Sequence, residues 1–435
     1  MKRSVTILSI KINLLTFIRQ KRILVPLSIL LLSLPVSAQI QLSDNAKISL
    51  LTASPWSGAV YALFGHTAIY VHDDSTGVNA VFNYGFFDSS QPYFIYNFVR
   101  GKTDYILGVE TMADFLHEYG YRGQQVTEQE LNLLPEEKQQ LFESLFTNAL
   151  PQNREYRYNY FYDNCTTRPR DLVEEFTHGS IQYPPTKPGQ SYRDLVHECV
   201  ESYPWIQFGI DLLIGSPADS IIGVREKMYI PAYLMDSFDG AVIQRNDTLS
   251  DPLVKHTKVL LHVNNEINKK NHPTPFTPLI VGIALFLLTI IVSLLQRIKL
   301  NKTKLSRLYD TILFGVAGLA GIVLLVLMYF SEHPATNPNW NFAWLNPVML
   351  VAALCFWMKS ANKAVFYYHF INFALLTLFL LSWWFIPQQL PLATIPLSAS
   401  LWLRSGANIY MFRKGRLKNR QFTTSRYMKA GWGGL

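Results

Sequence analysis

Cysteine is scarce: the chain has three in 435 residues, at positions 165, 199 and 355. So few thiols exclude a disulfide-stapled scaffold, and no C-x-x-C pair offers a redox or zinc-ribbon motif. No G-x-S-x-G elbow occurs. His117-Glu118 and His197-Glu198 lack the second histidine of a zinc-protease helix, and GKT at 101–103 has Tyr96 where a phosphate loop needs its first glycine. Neither a metal site nor a cofactor is expected. Internal repeats and low-complexity tracts are missing as well. Acidic residues all but vanish after 276: residues 277–435 hold Asp310 and Glu332 against 15 Lys/Arg. Residues 39–276 hold 29 acids against 18 Lys/Arg, and residues 1–38 hold six Lys/Arg and no acid. The formal charge of +8 therefore combines +6, −11 and +13 along the chain. The basic charge belongs to the two ends, and the acidic middle has no basic stripe, so nucleic acid is excluded as a partner.

What is present is apolar sequence in two places. Arg19, Lys21 and Arg22 precede an apolar run from Ile23 to Leu34, and Val36-Ser37-Ala38 supplies small residues for cleavage. Residues 1–38 read as an export signal, with an uncleaved anchor as the alternative. No cysteine lies at the cleavage site, so the chain is not expected to be a lipoprotein itself. After the prolines 273, 275 and 278, five apolar segments follow, at about 278–296, 311–330, 342–358, 364–386 and 390–411. Lys and Arg fill the first loop (Arg297, Lys299, Lys302, Lys304, Arg307), the third (Lys359, Lys363) and the tail (Arg413, Lys414, Arg416, Lys418, Arg420). The second and fourth connections, 331–346 and 387–390, have none. By the positive-inside rule this predicts an inner-membrane protein of five helices (277–435), with residues 39–276 outside the cytoplasm and the C-terminus inside. Trp340 and Trp344 read as an interfacial belt, and Arg404 either snorkels or pairs within the bundle.

The exported part reads as mixed α and β. Thr67, Ile69 and Val71 alternate with Ala68, Tyr70 and His72 as a strand. A turn at Asp73–Gly77 leads to a second strand, Val81–Phe87. Pro135 opens a helix with Leu141, Phe142, Leu145 and Phe146 on one face. The tyrosine-rich run 156–162 reads as a strand packed in the core, and Asp171–Phe176 as helix with Leu172, Val173 and Phe176 buried. Between these last two lies Cys165. A thiol at a strand-to-helix junction can be a nucleophile: the helix N-terminus and a nearby imidazolium favour the thiolate, and freed backbone N–H groups can hold an oxyanion. It can equally be half of a disulfide with Cys199, or a core residue. Pro169 means either that the helix starts after Cys165 or that it is irregular there. Among eight histidines, from His66 to His272, His66 is the best base, placed behind Gly65 at a strand start. His72 shares its face but lies nearer the turn. Asn83 is the candidate to orient the imidazole. The alternatives are a hydrogen-bonded core histidine and an ordinary strand-end asparagine.

With these residues in view, the sequence resembles the Lnb family of bacterial lipoprotein N-acyltransferases. The likeness lies in FGHTAIYV (64–71), FNYGFF (82–87), FVRGKTDYILG (98–108), YFYDNCTTRPRD (160–171) and the loop EHPATNPNWNFAWLNP (332–347). The order, histidine on a strand and then cysteine opening a helix, also resembles circularly permuted NlpC/P60-like thiol enzymes. The resemblance implies an α+β papain/NlpC-P60-like (circularly permuted) domain followed by an all-α transmembrane domain. It implies Cys165 as nucleophile and His66 as base; Asn83, the candidate third group, falls inside a motif block. Asn164, Lys102, Tyr105 and Arg168, inside the motif blocks, and His333 in the outer loop have supporting roles. The implied donor is a membrane phospholipid and the implied acceptors are diacylglyceryl-modified lipoproteins. The rivals are a membrane-anchored peptidase or amidase acting on peptidoglycan, and a non-enzymatic sensor with a Cys165–Cys199 bridge.

Overall fold

The computed structural model describes residues 40–431, apart from 89, 91, 247–248, 269–274 and 299–302. The export signal at 1–38, His272, Pro273, Lys299 and Lys302 lie outside the described residues, as do the side chains of Arg416, Lys418 and Arg420.

Ten strands are described: β1 Lys47–Ala53, β2 His66–Asp73, β3 Val78–Phe86, β4 Asp104–Glu110, β5 Val126–Leu131, β6 Glu155–Arg157, β7 Ser180–Gln182, β8 Val242–Gln244, β9 Ser250–Pro252 and β10 Val254–Leu261. Seven form one antiparallel sheet in the order β10-β5-β1-β2-β3-β4-β6, and β7-β8-β9 form a second. The alternation in β2 is a weak signal because the strand is central. Its two faces are both covered, and Ala68, Ile69, Tyr70 and Val71 are all buried. The β2–β3 turn is held by Asp73, whose carboxylate accepts from Ser75 N (3.0 Å) and Thr76 Oγ1 (2.9 Å). Helices Met112–Tyr121, Pro135–Ala149, Thr167–Phe176 and Pro231–Asp239 pack on the sheet.

The helix Pro135–Ala149 runs where expected and buries Leu141, Phe142 and Leu145, but Phe146 points outward. The helix after the thiol begins at Thr167, four residues early, and of its expected apolar residues only Val173 is fully buried. Pro169 falls in its first turn, where no helical N–H is lost. The tyrosine run departs most. Only Glu155–Arg157 is strand, and the chain then turns back, with Asn159 paired to Asp163. The Asn159 side chain accepts from Phe161 N (3.2 Å) and Tyr162 N (3.0 Å), a local alternative to the sheet ladder.

From Ser43 onward the chain is one compact unit, so the helices beyond 277 belong with the sheet. Among the described residues three helices are long and apolar enough to cross a membrane: Pro278–Ile298, Lys304–Tyr329 and Lys359–Leu381. The expected segment 342–358 instead overlaps a shorter apolar stretch, Trp340–Cys355, broken at Asn346-Pro347. The segment 390–411 lies in a helix, Thr394–Gly431, whose buried Ser398, Ser400, Arg404 and Ser405 dilute its apolar character. Arg404 does not snorkel. Fully buried, it binds Asp310 through Nε (2.5 Å) and Nη2 (2.9 Å), and Gln296, Ser293 and Ser306 complete its shell. Trp344 is buried in the helical core rather than in a belt, its indole N–H donating to Asn341 Oδ1 (3.0 Å), while Trp340 is exposed.

The outer loop seats the two parts on each other. Helix Pro204–Leu213 ends with carbonyls that no helical N–H can reach. Asn339 Nδ2 donates to Leu212 O (2.8 Å), Asn341 Nδ2 to Asp211 O (3.0 Å) and Gln388 Nε2 to Ile214 O (3.2 Å). In return Gly215 N donates to Ala335 O (2.6 Å) and Ser216 N to Pro338 O (2.9 Å). Beneath them the buried Arg193 guanidinium holds Asp211 (2.7 Å), Asp219 (2.8 Å) and the Ile214 and Gly215 carbonyls.

Candidate active site

Asn164 fixes the thiol. Its Oδ1 accepts from Thr166 N (2.8 Å) and Thr167 N (2.9 Å), capping the helix, and its Nδ2 donates to Tyr160 O (2.9 Å) and Tyr229 O (3.0 Å). Cys165, one residue on, is therefore held between a capped helix end and the sheet, with 9% of its surface exposed. Of the backbone N–H groups at this junction, those of Thr166 and Thr167 are taken by this cap and are not free for an oxyanion.

His66 opens β2 and lies beside Cys165, each within reach of the other's charge. Its Nε2 meets Asn83 Oδ1 on the neighbouring strand β3. Asn83 Nδ2 donates to Glu110 Oε1 (2.8 Å), which turns Oδ1 toward the imidazole. Nε2 must then carry a proton, and Nδ1 is left for the sulfur. Cysteine, histidine and asparagine thus stand in one line across the helix start, β2 and β3, with the imidazole hydrogen-bonded to the asparagine and adjacent to the sulfur. Tyr119 stacks on the imidazole, with ring centroids 6.2 Å apart.

The charges reinforce each other. Burial pushes the Cys165 thiol up, but the neighbouring His66 imidazole, Thr166 and the Thr67 N–H outweigh it, so the thiol sits below its ordinary value of 9.0. Burial pulls His66 down, but Cys165 and Asn83 outweigh it and hold the imidazole above its ordinary 6.5. Both shifts favour a thiolate–imidazolium pair, which is a nucleophile and an acid in contact. Burial lifts the Glu110 carboxyl despite the Asn83 hydrogen bond.

Gly85 closes the site. It lies at a register shift between β3 and β4 with φ of 100°, and a Cβ there would stand 3.5 Å from Cys165 Cβ and 3.9 Å from His66 Cε1. The glycine of FNYG thus permits both the bulge and the close approach.

The remaining expected residues sit around the trio at different removes. Tyr105 stacks on Tyr158 (centroids 4.2 Å apart), and its hydroxyl is pushed up to about 12 by burial and by the nearby Tyr61 and Cys165. Arg168 does not reach the sulfur. It binds Asp163 (2.5 and 2.8 Å) and lies 3.7 Å over the Tyr156 ring, bracing the turn that carries Cys165. Lys102 pairs with Glu332 (3.1 Å), and His333 Nε2 bonds Phe98 O (2.6 Å), so both act where the outer loop docks. Sequence reasoning missed Glu110, Tyr119, Tyr158 and Thr67. Tyr158 stood in a stripe read as core packing, and Glu110 follows the FVRGKTDYILG block by two residues. Cys165 and Cys199 are both free, and burial pushes the Cys199 thiol up to about 12. A groove of about 900 Å³ beside Asp163 and Arg168 is lined by neither Cys165 nor His66.

Residues 37–198 match the family model described as the Lnb N-terminal periplasmic domain, and residues 268–415 match the one described as the Lnb transmembrane domain. No curated protein and no solved structure matches the chain.

Proposed function

Because the chain belongs to the Lnb-type family of lipoprotein N-acyltransferases, we propose that it moves an acyl chain from a membrane phospholipid, through a thioester on Cys165, to the α-amine of diacylglyceryl-cysteine on lipoproteins. It is an inner-membrane protein with a periplasmic α/β domain and a helical transmembrane domain. The observation that carries the reading is the line Cys165–His66–Asn83, with its mutually stabilised charges.

In the first half-reaction the Cys165 thiolate attacks the ester carbonyl. The C–O bond breaks and His66 hands its proton to the departing lysophospholipid oxygen. In the second, the lipoprotein amine attacks the thioester, His66 takes a proton from nitrogen, and the C–S bond breaks to give the amide and the thiolate. Asn83 keeps the imidazole oriented throughout, and Asn164 keeps the sulfur in place. Outside the cytoplasm no ATP or acyl-CoA is at hand, so a donor that is already an ester fits the compartment. Loop 331–346 and Gln388 in the fourth connection both bond to the periplasmic domain, so both belong on its side of the bilayer, which favours five crossings with the C-terminus in the cytoplasm. The arrangement of a strand histidine before a helix cysteine favours the permuted NlpC/P60-like fold.

A peptidoglycan peptidase or amidase could use the same trio, but one anchor helix would serve it. Cells carrying Cys165→Ser as their sole copy, with no redundant enzyme, separate these readings. Mass spectrometry of lipoprotein N-termini is expected to show loss of the N-linked acyl chain. Unchanged N-acylation excludes the transferase.

A further inference from the structure

We propose that the segment Tyr93–Gly101 is the entry for the acyl donor, its exposed side chains seated among phospholipid acyl chains and an aromatic track leading from them to Cys165. This rests on the acyl-transfer reading and names the path by which its first substrate arrives.

The helix Phe94–Val99 reads FIYNFV and buries none of its residues. Tyr93 is 80% exposed, Ile95 77% and Tyr96 58%. Asn97 apart, every residue of this helix is aliphatic or aromatic, and an exposed patch of that kind marks an interaction surface. Its place in the fold selects lipid as the occupant. Arg100 O accepts from Glu332 N (2.8 Å), and a Cβ on Gly101 would lie 2.8 Å from His333 N. Glu332 and His333 come within four residues of the end of the membrane helix Lys304–Tyr329, where Tyr329 and the following Phe330 are themselves exposed. The apolar surface is thus continuous with the end of a span. Arg100, bonded to Tyr96 Oη (3.1 Å), stands at the edge of the patch, where its stem can lie along lipid and its head meet phosphate.

The track leads inward by ring-to-ring contact. Phe94 stacks on Phe87 (5.7 Å between centroids), Phe87 meets Tyr105 (5.2 Å), and Tyr105 stacks on Tyr158 (4.2 Å). Tyr158 and Tyr105 both lie within reach of the charge on Cys165. An acyl chain can therefore travel over aromatic faces from the bilayer to the sulfur while its headgroup stays at the surface.

Two experiments decide this in full-length protein reconstituted in phosphatidylethanolamine/phosphatidylglycerol vesicles. In Cys165→Ser protein, a phospholipid with a diazirine in its acyl chain is expected to crosslink to peptides spanning 93–105 as well as to the membrane helices. Crosslinks confined to the membrane helices overturn the entry. In kinetics, Ile95→Glu is expected to slow acylation of Cys165 by bilayer phospholipid at least about tenfold, because a carboxylate is costly among acyl chains. Acylation by a short-chain, water-soluble ester should be unchanged, and Ile95→Leu should behave as wild type with both donors. Equal slowing with both donors, or none, overturns the proposal. Wild-type protein acylated by neither donor overturns the transferase reading instead, and the crosslinks still decide whether the segment holds acyl chains.

Discussion

At the scale of single residues, reactivity rests on a balance between burial and partnership at one sulfur. Burial alone would keep Cys165 protonated, and the imidazole of His66 reverses that. Thiolate forms as pH rises through the thiol's own value, so alkylation of Cys165 by iodoacetamide is expected to reach half-maximal rate below pH 9.0. In His66→Ala the burial remains and the imidazole does not, and the midpoint should move up. Cys199, pushed up to about 12, contributes little to the signal at pH 8. Asn83→Ala should raise the thiol midpoint less than His66→Ala does, yet lower acyl transfer by about 10² to 10⁴, the range for a misoriented catalytic base. Single-turnover acylation rates would reveal it.

At the scale of elements, the turn from the tyrosine run into the helix Thr167–Phe176 is a scaffold for the sulfur. Asn164→Ala removes one cap and leaves the Tyr160 and Tyr229 carbonyls without their donor. A loss of about 2 kcal/mol is expected, seen as a lower midpoint in thermal unfolding in detergent. This region also shows what the sequence could tell and what it could not. His66, Asn83 and Cys165 were legible because each stands where local rules are broken, next to Gly65, Gly85 or a strand-to-helix change. The hairpin β2–β3 and the helix Pro135–Ala149 were legible from turn residues and from a helix-initiating proline. The strand expected through 162 was not, because Asn159 satisfies two backbone N–H groups locally, and strand periodicity cannot anticipate that competition. Glu110 and Tyr119 were not, because they reach the site only through sheet register and helix packing across distant sequence. Nor could the sequence tell which N–H groups at the helix start stay free, since the asparagine that marks the start occupies those of Thr166 and Thr167.

At the scale of the whole molecule, two buried arginines hold assemblies together. Arg404 ties three helices through Asp310, Gln296 and Ser293. Arg404→Met leaves a buried carboxylate unmatched and is expected to cost about 3 to 5 kcal/mol, while Arg404→Met with Asp310→Leu should recover most of it. Thermal unfolding of the three proteins in one detergent tests the pair. Arg193 does the corresponding work under the seat of the outer loop. That seat is made from both halves, and it leaves no slack: a methyl group on Gly215 would fall 2.2 Å from Pro338 O. The periplasmic and membrane halves are therefore not interchangeable cassettes. A chimera joined at the proline-rich link inherits a mismatched socket unless the stretches around 211–216, 333–341 and 388 travel from the same parent.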